Sequence, residues 1–354
     1  MRIEKLRKKL KELDVEAILL SDAYNVRYYT GYSGGDGFVL VTIDKVIILT
    51  DSRYVEQVAK ESPSCLCYDI GRNTYAVVIS KLLKEKEIHR LGFEDNSIGY
   101  KEYEGLKNQC VDIIFVEASD SIDSFRKIKD SNEIEYIRQA EAIGDGAFSH
   151  ISSIIKVGMS EREIALEIEF YMKKSGADGL SFDTIVASGP NSSMPHAKVS
   201  DRKIVSGDFI TMDFGCIYKG YCSDMTRTVA VGECSSKQGE IYDIVLEAQE
   251  EALSMLKPGM KCCDVDFVAR DIIREAGYDK YFGHGLGHSV GLYIHESPRL
   301  SPTCSEILEP GMIMTVEPGI YLPGEFGVRI EDLVVITENG YENLTNSDKI
   351  LTVF

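Results

Sequence analysis

No apolar run in this sequence approaches the ~20 residues that a membrane-spanning helix needs, so a membrane-embedded protein is not expected. Positive charge is in deficit: 39 Lys and Arg against 57 Asp and Glu give a formal net charge of −18. Nucleic-acid affinity rests on positive charge, so a phosphate-backbone partner is not expected either. The same surplus suits a solvated surface, or a site that collects cations. The nine cysteines contain no Cys-x-x-Cys pair. Cys65 and Cys67 stand too close together for a structural zinc pair, and Cys262 and Cys263 are adjacent. They read as reduced thiols rather than as a disulfide framework. The opening MRIEKLRKKLKELD has helical amphipathic charge but no apolar stretch behind it, so it is not a signal peptide and a soluble, cytoplasmic protein is expected.

What is present is an α/β pattern over residues 1–120. AILL (17–20), FVLVTI (38–43) and VIILT (46–50) read as strands; residues 2–13, 51–61, 74–86 and 100–108 read as helices. The glycine cluster GYSGGDG (31–37) leads into a strand, not a helix, so it offers no helix N-terminus to a phosphate. From 121–132 the pattern changes. Asp130 with Glu133 predicts a capping box that opens a long helix, and the length of 354 residues fits two domains.

The second region repeats itself. Residues 154–178 resemble residues 255–279 at a constant offset of 101 positions. Each copy has Gly-Met, a cap (Ser160 or Asp264), an amphipathic helix and a closing glycine (Gly176 or Gly277). Further on, SGDFITMDFG (206–215) resembles EPGMIMTVEPG (309–319), which puts Asp213 and Glu317 at equivalent places. Two such halves predict a pseudo-two-fold pair with a site between them; a repeat this long is not a solenoid.

With so many acidic residues, only arrangement can single one out. Lys219-Gly220 predicts a two-residue hairpin turn, which pairs Asp213 with Thr226 and puts Asp224 on the face of Asp213. Two carboxylates there could converge on cations, and burial without a cation would be costly. A solvated edge hairpin is the other reading of the same pattern. His284 and His288 are four apart as in a helical zinc pair, but glycines surround them and the glutamate of H-E-x-x-H is absent. They therefore need not share one metal. One histidine among several carboxylates suits Mn, Fe, Co or Zn better than Mg or Ca. Arg329 lies two residues before Glu331, on its face, either as a structural ion pair or to orient a metal carboxylate.

In order and context, Asp213, Asp224, His288, Glu317 and Glu331 resemble the five metal ligands of the pita-bread metallopeptidases, a group that includes prolidases, aminopeptidases P and methionine aminopeptidases. The resemblance covers the whole chain. It implies an α/β N-terminal domain like that of creatinase and prolidase over residues 1–125, then a pseudo-two-fold duplicated pita-bread α+β catalytic domain over 126–354. It implies two divalent metal ions, manganese with cobalt or zinc as alternatives, and a homodimer. The N-terminal domain and the short stretch between Glu317 and Glu331 look like the Xaa-Pro peptidases. The implied reaction is hydrolysis of Xaa-Pro bonds in proline-containing dipeptides or short peptides. Glu317 would serve as general base, with His295 and His196 as donors to the oxyanion. Arg299 matches an arginine that prolidases use for the substrate's terminal carboxylate; Arg329 and Tyr321 match residues of the proline-specific members, and His284 would line the pocket. The rivals are a pita-bread protein that binds peptides without cutting them and a metal-free hydrolase of the creatinase type; a full ligand set argues against both.

Overall fold

A computed structural model describes residues 2–354, and the chain divides into two compact units, Met1–Arg126 and Lys127–Phe354. In the first, six strands form one mixed sheet in the order Leu66–Asp69, Val46–Thr50, Phe38–Thr42, Ala17–Leu20, Arg90–Phe93, Ile114–Glu117. Ala17–Leu20 runs antiparallel to Phe38–Thr42 and parallel to Arg90–Phe93. Its core packs Leu19, Leu40 and Leu49 against Ile79 and Leu83 of the helix Tyr75–Glu85. The helices Arg2–Glu12, Tyr75–Glu85 and Tyr100–Gln109 stand where the sequence predicts them. The helix expected over 51–61 begins only at Val55, because the Asp51 carboxylate accepts from the Arg53 backbone N–H and turns the chain first. One helix, Ala23–Thr30, is not predicted by the sequence pattern; the Asp22 side chain caps it and Gly31, at φ 81°, ends it. The glycine cluster is thus a helix end that leads into Phe38–Thr42.

In the second unit the duplication is visible in matching helix pairs, turns and backbone contacts. The helix Ser131–Ser152, opened by the capping box of Asp130 and Glu133, contacts the helix Glu161–Lys174. Ser236–Ser254 pairs in the same way with Cys262–Glu275. Gly158 donates to the Ile204 carbonyl and Gly259 to that of Leu308; the isolated bridges Ser160↔Lys203 and Lys261↔Ile307 repeat the match. Gly158 and Gly259 have φ of 93° and 90°, and Gly176 and Gly277 are likewise left-handed, at 102° and 86°. One expectation fails: Ser160 caps its helix, but Asp264 does not cap the other. That helix starts after Lys261, and its first two N–H groups, of Cys262 and Cys263, donate to the carbonyls of Glu306 and Cys304. Backbone acceptors satisfy the helix start, so no side-chain cap is needed.

The strands of each half carry the site. Asp208–Phe214 pairs antiparallel with Met225–Val231 and with Ile185–Ser188. In the other half Ile313–Val316 pairs with Asp332–Ile336, and Ser289 of the strand Gly287–Ser289 pairs with Met314. The isolated bridge Thr226↔Glu331 links the two halves. Residues 352–354 return to the first half: Ala230 donates to the Thr352 carbonyl, and Phe354 donates to that of Ala230. Among the described residues, all nine cysteines are free, and no helix is long and apolar enough to cross a membrane.

Candidate metal centre and active site

The hairpin register is the one the turn residues predict. Lys219 and Gly220 both have positive φ, Tyr218 faces Tyr221, and Asp213 faces Thr226. The ladder breaks at Gly215, where a Cβ would stand 1.9 Å from the Ser223 carbonyl oxygen. Asp224 lies at this break, between the strands Tyr221–Cys222 and Met225–Val231. Glu331 comes from the other half. It is not inside a continuous strand, as expected, but between Phe326–Arg329 and Asp332–Ile336, at the bridge to Thr226.

Ligand atoms of Asp213, Asp224 and Glu331 all lie within 4.8 Å of one another. Thr226 Oγ1 donates to Glu331 Oε2 at 2.6 Å, and Arg329 Nη2 donates to Asp213 Oδ2 at 2.5 Å. The remaining oxygens, Asp213 Oδ1 and Glu331 Oε1, are buried with no hydrogen-bond partner. Burial, then repulsion from Glu331 and Asp213, pushes the Asp224 carboxyl well above its ordinary range; burial, then Glu317 and Asp213, does the same to Glu331. Such a cluster is costly as it stands, and a cation between the orphaned oxygens would relieve it. The residues therefore fit a metal.

His288 extends the cluster. Its Nδ1 lies 3.1 Å from the Ser289 carbonyl oxygen, which fixes the proton there and leaves the Nε2 lone pair free. Nε2 lies 3.6 Å from Asp224 Oδ2 and 3.4 Å from Glu317 Oε1. Burial, reinforced by His295, pushes the His288 pKa down to about 3, so the ring is a neutral donor atom. Glu317 follows the strand Ile313–Val316 and accepts from Thr315 Oγ1; burial raises it to about 7. His284 does not join this group. Its Nε2 accepts from the Tyr321 hydroxyl at 3.0 Å, and burial lowers its pKa to about 4.

Arg329 is buried, and its partner is Asp213 rather than the Glu331 that strand periodicity suggests. It also donates to Tyr321 OH at 2.8 Å, to Thr226 Oγ1 at 3.1 Å and to the Pro195 carbonyl at 3.2 Å. The periodicity argument fails because the partner comes from the other half of the repeat. All five expected ligands, with His196, His284, His295, Arg299 and Arg329, line one cavity of about 890 Å³. The His295 ring is 4.6 Å from that of His288. Arg299 directly opposes His288 across the strand pair and is exposed into the cavity. Sequence reasoning missed Thr226 and Thr315 as partners of the carboxylates; the spacing Asp224-x-Thr226 on one strand face was the available signal.

Residues 135–338 match Metallopeptidase family M24, and residues 2–128 match the Creatinase/Prolidase N-terminal domain. The chain belongs to metallopeptidase family M24. This M24 peptidase is 41% identical over 358 residues to the Xaa-Pro dipeptidase of Pyrococcus furiosus, with 99% of each covered. Among solved structures it is similar to an Xaa-Pro dipeptidase from Bacillus anthracis, with a TM-score of 0.96 at 44% identity over 100% of this chain and 99% of that one. It is similar also to an X-Pro aminopeptidase from Thermotoga maritima, with a TM-score of 0.90 at 38% identity over 98% and 100%. The M24 metallopeptidases use divalent metals, and the acidic cluster of this member is where they could bind.

Proposed function

We propose that the protein hydrolyses Xaa-Pro bonds of dipeptides or short peptides with two divalent metal ions. The observation that carries the reading is the convergence of Asp213, Asp224 and Glu331 from both halves, with two buried oxygens left unpaired. These three carboxylates would be shared between the ions, with His288 and Glu317 completing the set. Bound there, the ions supply Lewis acidity and bring water ionisation towards neutral pH.

The rest of the chemistry belongs to side chains. Glu317, beside the cluster, takes a proton from the attacking water as general base. His295, with His196 on the same cavity wall, donates to the oxygen that gains charge as the peptide carbon becomes tetrahedral. The guanidinium of Arg299 holds the substrate's terminal carboxylate in a bidentate pair. Arg329 holds Asp213 and Tyr321 in place, and the Tyr321 hydroxyl in turn holds His284 at the pocket wall.

Manganese as the metal, with cobalt or zinc as alternatives, rests on the mixed carboxylate–imidazole donor set and on the family. The homodimer rests on family resemblance, and a cytoplasmic location is in keeping with the free thiols. Dipeptidase action is the first reading, since two of the three relatives above are described as Xaa-Pro dipeptidases. Aminopeptidase action is the second, favoured by the similarity to the T. maritima X-Pro aminopeptidase. The test is turnover of the manganese-loaded protein on an Xaa-Pro dipeptide and an Xaa-Pro tripeptide, each with a chelator control. Cleavage of the dipeptide alone, lost on chelation, supports the dipeptidase; cleavage of the tripeptide supports the aminopeptidase; cleavage of neither sinks both.

A further inference from the structure

Behind the carboxylate cluster, on the opposite face of the same strands, lies a second polar assembly with no part in the chemistry above. Thr226 and Glu331 present their side chains to the metal side. The next residue along each strand, Arg227 and Asp332, therefore points the other way. Arg227 is 1% exposed and Asp332 is 0% exposed, and Arg227 Nη2 donates to Asp332 Oδ1 at 2.8 Å.

A guanidinium has five N–H donors in a rigid fork, and here each has an acceptor. Nη1 donates to two carbonyls, those of Thr226 and Glu331, which are the two residues of the bridge between the halves. Nη2 donates to Asp332 and to the Ser347 carbonyl, and Nε donates to the Asp348 carbonyl. The second oxygen of Asp332 is equally committed, accepting from Gln249 Nε2, Asn343 Nδ2 and Lys349 Nζ at 2.9–3.0 Å. The assembly ties both half-sheets to the helix Ser236–Ser254 through Gln249.

Stability does not explain it. A buried ion pair is often matched or bettered by apolar side chains of similar volume, and the helix Ser236–Ser254 already contributes to a large apolar cluster. What apolar side chains cannot do is fix two carbonyls from two different halves at one distance. We propose that Arg227, held by Asp332, is a positioning residue for the metal centre: it sets the separation between Asp213 and Asp224 of one half and Glu331 of the other. The inference rests on the reading that these carboxylates hold metal.

Lysine at 227 keeps the charge opposite Asp332 but cannot reach both bridge carbonyls and the carbonyls of 347 and 348 at once. The test titrates manganese into chelator-stripped wild type, Arg227→Lys and the double variant Arg227→Met with Asp332→Leu, using calorimetry. Circular dichroism reports whether each is folded. Outer partners of metal ligands typically tune affinity by roughly 10- to 100-fold, and a loss of that size is expected in Arg227→Lys, with the weaker site lost first. The double variant, which removes the buried ion pair together and leaves Lys349 Nζ its hydrogen bond to Gln249 Oε1, is expected to be folded yet to show the same loss. Wild-type stoichiometry and affinity in Arg227→Lys overturns the inference, whatever the double variant does. If wild type itself takes up no manganese, the reading of the carboxylates as a metal centre fails instead, and the two failures are thereby distinguished.

Discussion

Arg329 and Asp213 come from different halves of the duplicated unit, and their contact divides the two carboxylate oxygens. Oδ2 is held at 2.5 Å by Nη2, whereas Oδ1 is buried without a partner. One oxygen fixes the orientation of the carboxylate and the other is left to bind. Replacing Arg329 by Lys retains a cation but cannot serve Asp213, Tyr321, Thr226 and Pro195 together. Metal affinity is expected to fall by roughly 10- to 100-fold, measured by competition with a chromophoric chelator.

Asp224 has no such support from a cation, and its value to the fold without metal is low. Asp224→Ala is expected to abolish turnover and to reduce bound metal while leaving the protein folded. Elemental analysis and a dipeptide assay check this, and full turnover in the variant would sink the assignment.

Gly215 stands where the hairpin breaks to release Asp224. Alanine there would press a methyl group on the Ser223 backbone oxygen, 1.9 Å away. Overpacking of this kind costs about 1–3 kcal/mol, and it would displace the neighbour of Asp224. Gly215→Ala is expected to lower both the denaturation midpoint and metal occupancy, whereas Gly239→Ala, inside the helix Ser236–Ser254 with open space around the glycine, should raise the midpoint slightly and leave metal occupancy unchanged.

Arg299 is exposed into the cavity opposite His288. If it holds the substrate carboxylate, Arg299→Ala should lower kcat/KM for an Xaa-Pro dipeptide by roughly tenfold or more. It should change little for the corresponding Xaa-Pro amide, which lacks that carboxylate. Equal losses on the two substrates would remove Arg299 from substrate binding.

Metal removal should carry a pH signature. In the metal-free site Asp224, Glu331 and Glu317 all titrate above their ordinary values, Glu317 at about 7. A carboxyl whose folded pKa is raised favours the folded state at low pH and loses that contribution as pH rises through the folded value. His288, lowered to about 3, acts in the opposite sense: its contribution is present above the ordinary 6.5 and is lost as pH falls. Three raised groups outweigh one lowered group. The drop in Tm on chelation should therefore be larger at pH 8 than at pH 5, as read by scanning calorimetry.

Much of this architecture is legible in local chemistry. Lys219-Gly220 requires a tight turn, and one turn position fixes every pair along the hairpin, including Asp213 opposite Thr226. The repeat at offset 101 locates both helix pairs, because glycines at left-handed positions recur in both copies. What stays hidden depends on contacts far apart in sequence. The partner of Arg329, the bridge that carries Glu331 and the carbonyls that replace a cap at Cys262 all come from segments that sequence periodicity cannot bring together. The short helix Ala23–Thr30 escapes for a local reason: two turns give too little periodicity to register.

The return of residues 352–354 to Ala230 sets an order of events during synthesis. The sheet that presents Asp213 and Asp224 keeps an open edge until more than a hundred further residues have been made. Pairings over such separations are slow to close, and an open edge is a site for mispairing with other chains. A ribosome stalled between the two halves would therefore expose a nascent chain with an unpaired strand edge and without Glu317 and Glu331, a substrate for chaperones rather than a half-active enzyme.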